Sequence, residues 1–289
     1  MIGGRPRRRR SIAVLTRKVW LALAVLAACI ALIMLNQDWD RIQIEAEREH
    51  RLAYAASGVR LPGTPDLADL DGRLAAHGVS LGAPVFIRIF KREFELELWM
   101  KRGDRFHRFA TYPICRWSGE LGPKLLEGDW QAPEGFYTVD AKALNPASRW
   151  HRSFNLGFPN ALDRAHQRTG SYLMVHGGCS SIGCFAMTDA VIDEIWRLVS
   201  AALKQGQPRF HVHIFPFRMT EENLARRGHV RWATFWRDLK LGFDAFEASR
   251  LPPRIAVCQG RYAVSPAPPG ADGSFEVDAP CPAAAGTKS

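Results

Sequence analysis

The stretch Met174–Asp189, MVHGGCSSIGCFAMTD, places one histidine and two cysteines within nine residues: His176, Cys179 and Cys184. Three chemistries suit such a cluster. A structural zinc site needs four ligands, and this stretch supplies three; His166 would have to be the fourth, and the chain lacks paired C-x-x-C spacing. A Cys179–Cys184 disulfide is sterically conceivable and would consume both thiols. The third chemistry is a cysteine nucleophile with an imidazole base. On a strand–loop–helix reading, His176 ends a strand and Cys184 sits just before a helix. Unpaired N–H groups and the positive end of the helix dipole would then favour a thiolate, and the same donors would stabilise an oxyanion. Gly183 leaves the approach to Cys184 open, and His176 reaches back across the loop as general base. In this reading Cys179 pairs with Cys115 or stays buried.

The cysteine count bears on the choice. Of six cysteines, Cys29 lies in an apolar run near the N-terminus, leaving Cys115, Cys179, Cys184, Cys258 and Cys281. An odd number in an exported chain leaves one thiol without an intrachain partner, and catalysis is one reason to keep it. Export itself is read from the N-terminus. Residues 1–18 carry seven basic residues and no acid, and Val19–Leu35 is 17 residues without a charge. At about 1.5 Å per residue that run just crosses a bilayer core, and its basic flank places the bulk of the protein outside the cytoplasm. An uncleaved inner-membrane anchor with a periplasmic catalytic domain is expected. The alternatives are signal cleavage, which releases the chain to the periplasm, and lipidation at Cys29 in the box Leu26–Cys29. Setting the seven basic residues aside lowers the net charge from +10 to +3. The excess is therefore a local tag, and no nucleic-acid partner is expected.

Elements that must position the cluster follow from periodicity. An apolar fraction of 47% and a charged fraction of 24% are those of a globular protein. Residues 36–83 read as stalk and linker. Val85–Phe90 and Phe94–Met100 form a hairpin, the second strand with Phe94, Leu96, Leu98 and Met100 on one face and Glu95 and Glu97 on the other. Further strands are expected at Arg108–Ile114, Gly135–Val139, His151–Leu156, Ser171–Val175 and Phe210–Phe217. A helix capped by Thr188 or Asp189 carries the stripe Val191, Ile192, Ile195, Trp196, Val199, Ala202 and Leu203 and ends at Gly206 and Pro208. The chain thus divides into a basic N-terminus (1–18), an apolar segment (19–35), the stalk (36–83), a catalytic domain (84–217), a helical and short-strand extension packing on it (218–265), and a Pro/Ala/Gly-rich tail (266–289) expected to be disordered.

The motif HGGCSSIGCFAMTD resembles the active-site signature of the YkuD-type L,D-transpeptidases, in their YafK-like subgroup. The resemblance covers about 84–264 and includes GDWQAPEGFYTV (128–139), FNLGFPNALDRAH (154–166), FPFRMT (215–220) and PPRIAVCQGRYAVS (252–265). It implies an α+β fold, with a mainly β catalytic domain and flanking helices. It further implies acyl transfer at meso-diaminopimelate of a peptidoglycan stem peptide through a cysteine thioester, in cell-wall biogenesis, without metal or cofactor. By motif position Cys184 is the nucleophile and His176 the proton donor and acceptor. Gly177 orients His176 through its carbonyl, and the Gly183 and Cys184 amides form the oxyanion hole.

This chain departs from the larger family, which usually reads S/T-H-G-C followed two residues later by an arginine. Here Ile182 stands in the second histidine's place and Ala186 in the arginine's. Arg116, Lys124 and Arg218 are candidates to replace that cation toward an acidic stem peptide. Asn155, Asn160, Asp163 and Arg164 lie on a loop expected to border the cleft. Relatives of this kind include an amidase that detaches an outer-membrane lipoprotein from diaminopimelate, so hydrolysis of that linkage by the same residues is the alternative activity. A peptidoglycan-binding module with an inactive site is the non-enzymatic one.

Overall fold

The sheets grow from hairpins whose strands follow the apolar pattern. In the computed structural model, residues 8–277 and Cys281 are described, without the side chains of 8–17 and 29–38. The chain divides into two units between Glu47 and Arg48. Helix α1 (Arg8–Ala56) runs through the first, where Val19, Trp20, Leu21, Leu23, Val25 and Leu26 are exposed. The expected anchor falls in this helix, with the side chains of 29–35 outside the described residues. Among the described residues no helix is long and apolar enough to cross a membrane, so the structure lends the anchor no support.

The second unit holds α2 (Leu70–His77), β1 (Val85–Phe90), β2 (Glu95–Arg102), β3 (Arg105–Pro113), β4 (Arg116–Trp117) and β5 (Gly135–Asp140). There follow β6 (Leu144–Ser148), β7 (His151–Asn155), α3 (Ala161–Ala165), β8 (Met174–His176), β9 (Phe185–Ala186) and α4 (Asp189–Lys204). Last come β10 (Arg209–Phe215), α5 (Glu221–Arg226), α6 (Ala233–Ser249), β11 (Arg254–Cys258) and β12 (Arg261–Ser265). One sheet runs β3-β2-β1-β10-β5 and the other β4-β9-β8-β7-β6, with β11–β12 as a separate hairpin. Two pairs, β1–β10 and β8–β9, are parallel. Helix α4 packs on β7 and β8 and on β1 and β10, burying Val191, Ile192, Ile195, Leu198, Val199 and Ala202. Its stripe is what the 3.6-residue period requires. Phe90, Phe136, Phe215, Phe217, Trp236 and Leu239 form the core under α6.

Three expectations are corrected. Glu97 does not face solvent: it is fully buried, because Arg88 stands directly opposite it on β1 and bonds its carboxylate. The stalk is not free of the domain after Glu47. Arg48 lies over Trp117 and donates to the Gly119 carbonyl, Arg51 lies over Phe94, and Arg73 of α2 pairs with Glu194. Nor is the tail wholly disordered. Ala267 and Val277 are buried, the Phe275 carbonyl accepts from His211, and Cys281 forms a disulfide with Cys258. Composition masked these few apolar and cysteine anchors; residues 278–280 and 282–289 lie outside the described residues.

Candidate active site

Register brings the histidine and the cysteine together. In the parallel pair β8–β9, Val175 stands beside Phe185 and His176 beside Ala186. Cys184 immediately precedes β9, so by strand alternation it shares a face with Ala186, Met174 and His176. His176 is buried, and its Nδ1 lies 2.5 Å from the Gly177 carbonyl oxygen. A carbonyl only accepts, so Nδ1 carries the proton and Nε2 is left as the basic nitrogen. Gly177 N–H in turn donates to the carbonyls of Trp150 and Arg152, at 3.1 and 3.3 Å. The Trp150 ring covers the imidazole, centroids 6.0 Å apart at 31°.

Cys184 is the one free cysteine among those whose side chains are described. Cys179 is disulfide-bonded to Cys115, with Cα atoms 5.3 Å apart, which removes both the zinc site and the Cys179–Cys184 pairing. The Cys184 thiol donates to the Tyr172 carbonyl at 3.7 Å, and no hydrogen bond joins it to His176 among the described residues. Burial pushes the thiol above its ordinary range, against a backbone hydrogen bond from Met174 and the charge of Lys124. Burial also pushes His176 below the ordinary imidazole range, opposed by its bond to Gly177. Both groups are therefore neutral at pH 7. The expected thiolate at a helix N-terminus is corrected accordingly: β9 intervenes, and α4 starts only at Asp189. The carboxylate of Asp189 instead receives Gly178 N–H at 2.8 Å and fixes the start of the loop.

The middle of that loop hangs on Ser181. Its hydroxyl donates to the Cys184 carbonyl at 2.7 Å, accepts from Gly183 N–H at 3.2 Å, and lies 3.3 Å from the Ser118 hydroxyl. The Gly183 amide assigned to the oxyanion hole is thus engaged by Ser181 in this state. Gly183 has φ +133°, and a Cβ there would come within 3.2 Å of Leu173 and 3.6 Å of the Gln131 carbonyl oxygen, so glycine is required. Segment 118–134 backs the loop and is tied to the residue after β1 by the buried Lys91–Glu134 pair. Sequence reasoning missed Ser181, Ser118, Gln131, Trp150 and Asp189. Only Ser181 and Asp189, inside the motif, gave a local signal.

The substrate-contact candidates separate. Arg116 on β4 stands directly opposite Ala186, hence on the face of His176 and Cys184. It is half-buried, and its side chain has no partner among the described residues. Lys124 lies close enough for its charge to act on Cys184, yet its ammonium is held by Asp129 and the Leu126 carbonyl. Arg218 is not at this site; it pairs with Glu95 and Glu97 and lines a separate cleft. Asn160 and Asp163 are corrected to structural roles. Asn160 caps α3 and bonds Phe136 and Tyr262, while fully buried Asp163 bonds Tyr137 and Arg168. Asn155 accepts from Gly157 N–H, and exposed Arg164 donates to the Pro159 carbonyl.

Comparison with known proteins gives the family. The model of the L,D-transpeptidase catalytic domain (YkuD) matches residues 85–214. "Putative L,D-transpeptidase YafK" of Escherichia coli K12 is 50% identical over 185 residues, 64% of this chain and 75% of that protein. The protein of the same name from E. coli O157:H7 matches to the same extent. Among solved structures, the helical cell shape determining protein Pgp2 from Campylobacter jejuni aligns at 17% identity and a TM-score of 0.38, over 64% of this chain and 68% of that one. Bd1075 from Bdellovibrio bacteriovorus aligns at 18% and 0.34, over 56% and 60%. Those structural scores are too low to carry an argument; the family model and the sequence identity carry it. This chain belongs to the YkuD family of L,D-transpeptidase catalytic domains.

Proposed function

We propose that the protein is a cysteine acyl-transferase that acts on peptidoglycan stem peptides at meso-diaminopimelate and performs L,D-transpeptidation. The observation that carries this reading is the free thiol of Cys184 on the same strand face as the basic Nε2 of His176, with the neighbouring Cys179 sequestered in a disulfide.

Attack begins from a neutral pair. The thiol turns from the Tyr172 carbonyl, His176 Nε2 takes its proton, and Sγ adds to the substrate carbonyl. The resulting oxyanion draws on the Gly183 and Cys184 N–H groups, Gly183 exchanging its bond to Ser181 for the developing charge. Collapse expels the leaving amine, protonated by His176, and leaves a Cys184 thioester. An acceptor amine then attacks, giving its proton back through His176, and Sγ departs as the restored thiol. Arg116 receives a substrate carboxylate, supplying the cation that Ala186 does not.

Export fits the two disulfides, which persist in an oxidising compartment. We place the catalytic domain in the periplasm, held at the inner membrane by 19–35. Incubating the protein and its Cys184→Ala variant with tetrapeptide muropeptides, and separately with lipoprotein-bearing sacculi, tests the reading by mass spectrometry. Cys184-dependent diaminopimelate cross-links are expected. Released lipoprotein without cross-links would make the protein a hydrolase of the diaminopimelate–lipoprotein bond, and no product with an unreactive Cys184 would leave a binding module.

A further inference from the structure

A second concave site, a cleft of about 560 Å³, opens between the β2–β3 hairpin and α6, and Cys184 and His176 take no part in it. Its centre is the fully buried carboxylate of Glu97. Arg88 reaches that carboxylate with Nε at 2.9 Å and Nη2 at 2.7 Å, and Trp99 Nε1 adds a third donor at 3.0 Å. All three contacts fall on Oε2. Oε1 takes Arg108 and Arg218, at 3.1 and 2.5 Å, so three guanidiniums meet one carboxylate. Around them Glu95 pairs with Arg218, and Glu247 with Arg88 and Arg250.

The cleft and its edge thus set five guanidiniums (Arg88, Arg105, Arg108, Arg218 and Arg250) against three carboxylates (Glu95, Glu97 and Glu247). A strut built only for stability would balance its charges, because like charges held together in a cleft repel. The surplus is also accessible. The Arg108 side chain is 53% exposed with one bond, to Glu97, and exposed Arg105 has no side-chain partner among the described residues. His107 on the rim is pushed below the ordinary imidazole range by burial first and then by Arg102 and Arg250, with Asp104 opposing and Arg105 adding to the push. Trp99 and Phe243 add aromatic surface to the walls, and the volume is that of a small-molecule site.

We infer that this cleft is an anion site for a phosphate group, with Arg105 and Arg108 as its open forks and Trp99 and Phe243 beside the group that carries the phosphate. Two uncompensated positive charges match a dianionic phosphate monoester, and fixed guanidinium forks suit its oxygens. A soluble phosphate ester and a lipid headgroup share that chemistry.

The test uses the full chain, its Cys184→Ala variant and an Arg105→Ala/Arg108→Ala variant. Arg105 is exposed, and Glu97 keeps Arg88 and Arg218 when Arg108 is lost, so the double variant retains its fold, which circular dichroism verifies. Inorganic phosphate is titrated by calorimetry at low ionic strength, and phosphatidylcholine vesicles with and without phosphatidic acid are sedimented with each protein. Saturable phosphate binding, unchanged in Cys184→Ala and weakened at least about tenfold in the double variant, supports a soluble ester. Sedimentation that requires both phosphatidic acid and the two arginines supports a headgroup. Absence of saturable binding in both arms, or binding that the double variant leaves unchanged, overturns the inference.

Discussion

Replacing Lys91 by methionine tests how segment 118–134 is held against the nucleophile loop. The Lys91 ammonium is fully buried, and its three N–H donors are shared among four oxygens, the carbonyls of Glu120, Gly122 and Ala132 and Glu134 Oε1, at 2.7 to 3.1 Å. Gln131 Nε2, with two N–H donors, also serves the Glu120 and Gly122 carbonyls at 2.6 and 2.7 Å, so methionine leaves those two with a donor. What methionine strips away is the counter-charge of Glu134, a fully buried carboxylate left with Gly122 N–H and Trp236 Nε1. Breaking one side of such a pair costs about 3–5 kcal/mol. For a unit of this size that is a fall in Tm of roughly 6–20 °C. Adding Glu134→Gln removes the orphaned charge and should recover at least half of the loss, since removing both partners of a buried pair is far milder than removing one. Thermal unfolding of the two single variants and the double variant gives the cycle, and iodoacetamide alkylation of Cys184 reads the loop. A Tm within 2 °C of the parent for Lys91→Met, or a double variant no more stable than the single, would refute the argument.

Four further outcomes are expected. Because burial holds His176 below and Cys184 above their ordinary ranges, acylation should be flat through neutrality, its acid limb below the ordinary imidazole pKa; an acid limb above pH 7 in stopped-flow acylation, or a His176→Gln variant losing less than about 10²-fold, contradicts the base assignment. Arg116→Ala should lower kcat/KM for carboxylate-bearing muropeptides by roughly tenfold to a hundredfold, the worth of one charged hydrogen bond, while alkylation by neutral iodoacetamide stays unchanged; equal loss in both assays points to misfolding instead. Cys115→Ser/Cys179→Ser should cost about 2–5 kcal/mol in urea unfolding and slow Cys184 alkylation well below Tm, whereas an unaltered rate would confine the disulfide to stability. Glu97, held at about 2 against an ordinary 4.5 despite burial by Arg88 and Arg218, binds its proton more readily in the unfolded chain. Its contribution of about 3 kcal/mol is therefore complete above pH 4.5 and lost as pH falls toward 2, and Glu97→Gln should flatten that part of an acid-unfolding curve.

What the sequence made legible was local. His176 and Cys184 lie eight residues apart across one loop, and their types and spacing alone suggested a base and a nucleophile. The choice between that reading and zinc or a local disulfide was not local, because it rests on Cys115, 64 residues from Cys179. Helix α4 was readable because sixteen residues hold a period. Strands β4 and β9 have two residues each, too few for any period, and missing β9 made Cys184 read as adjacent to a helix whose cap, Thr188, was itself legible. Glu97 was read as outward from correct alternation, since nothing in its own strand announces Arg88 across the ladder or α6 above it.

The same short strands set what an arginine at position 186 would meet. An arginine at Ala186 would share the face of His176 and Cys184, and its place is across the ladder from Arg116. Two guanidiniums directly opposite on adjacent strands would repel, so a second cation at this station is disfavoured. In this chain the cation on that face stands on β4, one strand sideways from position 186. It follows that Ala186→Arg should impair the protein unless Arg116 is also removed. The paired variant Arg116→Ala/Ala186→Arg should regain more kcat/KM on carboxylate-bearing muropeptides than Arg116→Ala alone retains. If the paired variant is no better than Arg116→Ala, the charge on this face is not what the substrate reads, and Arg116 loses its assigned role.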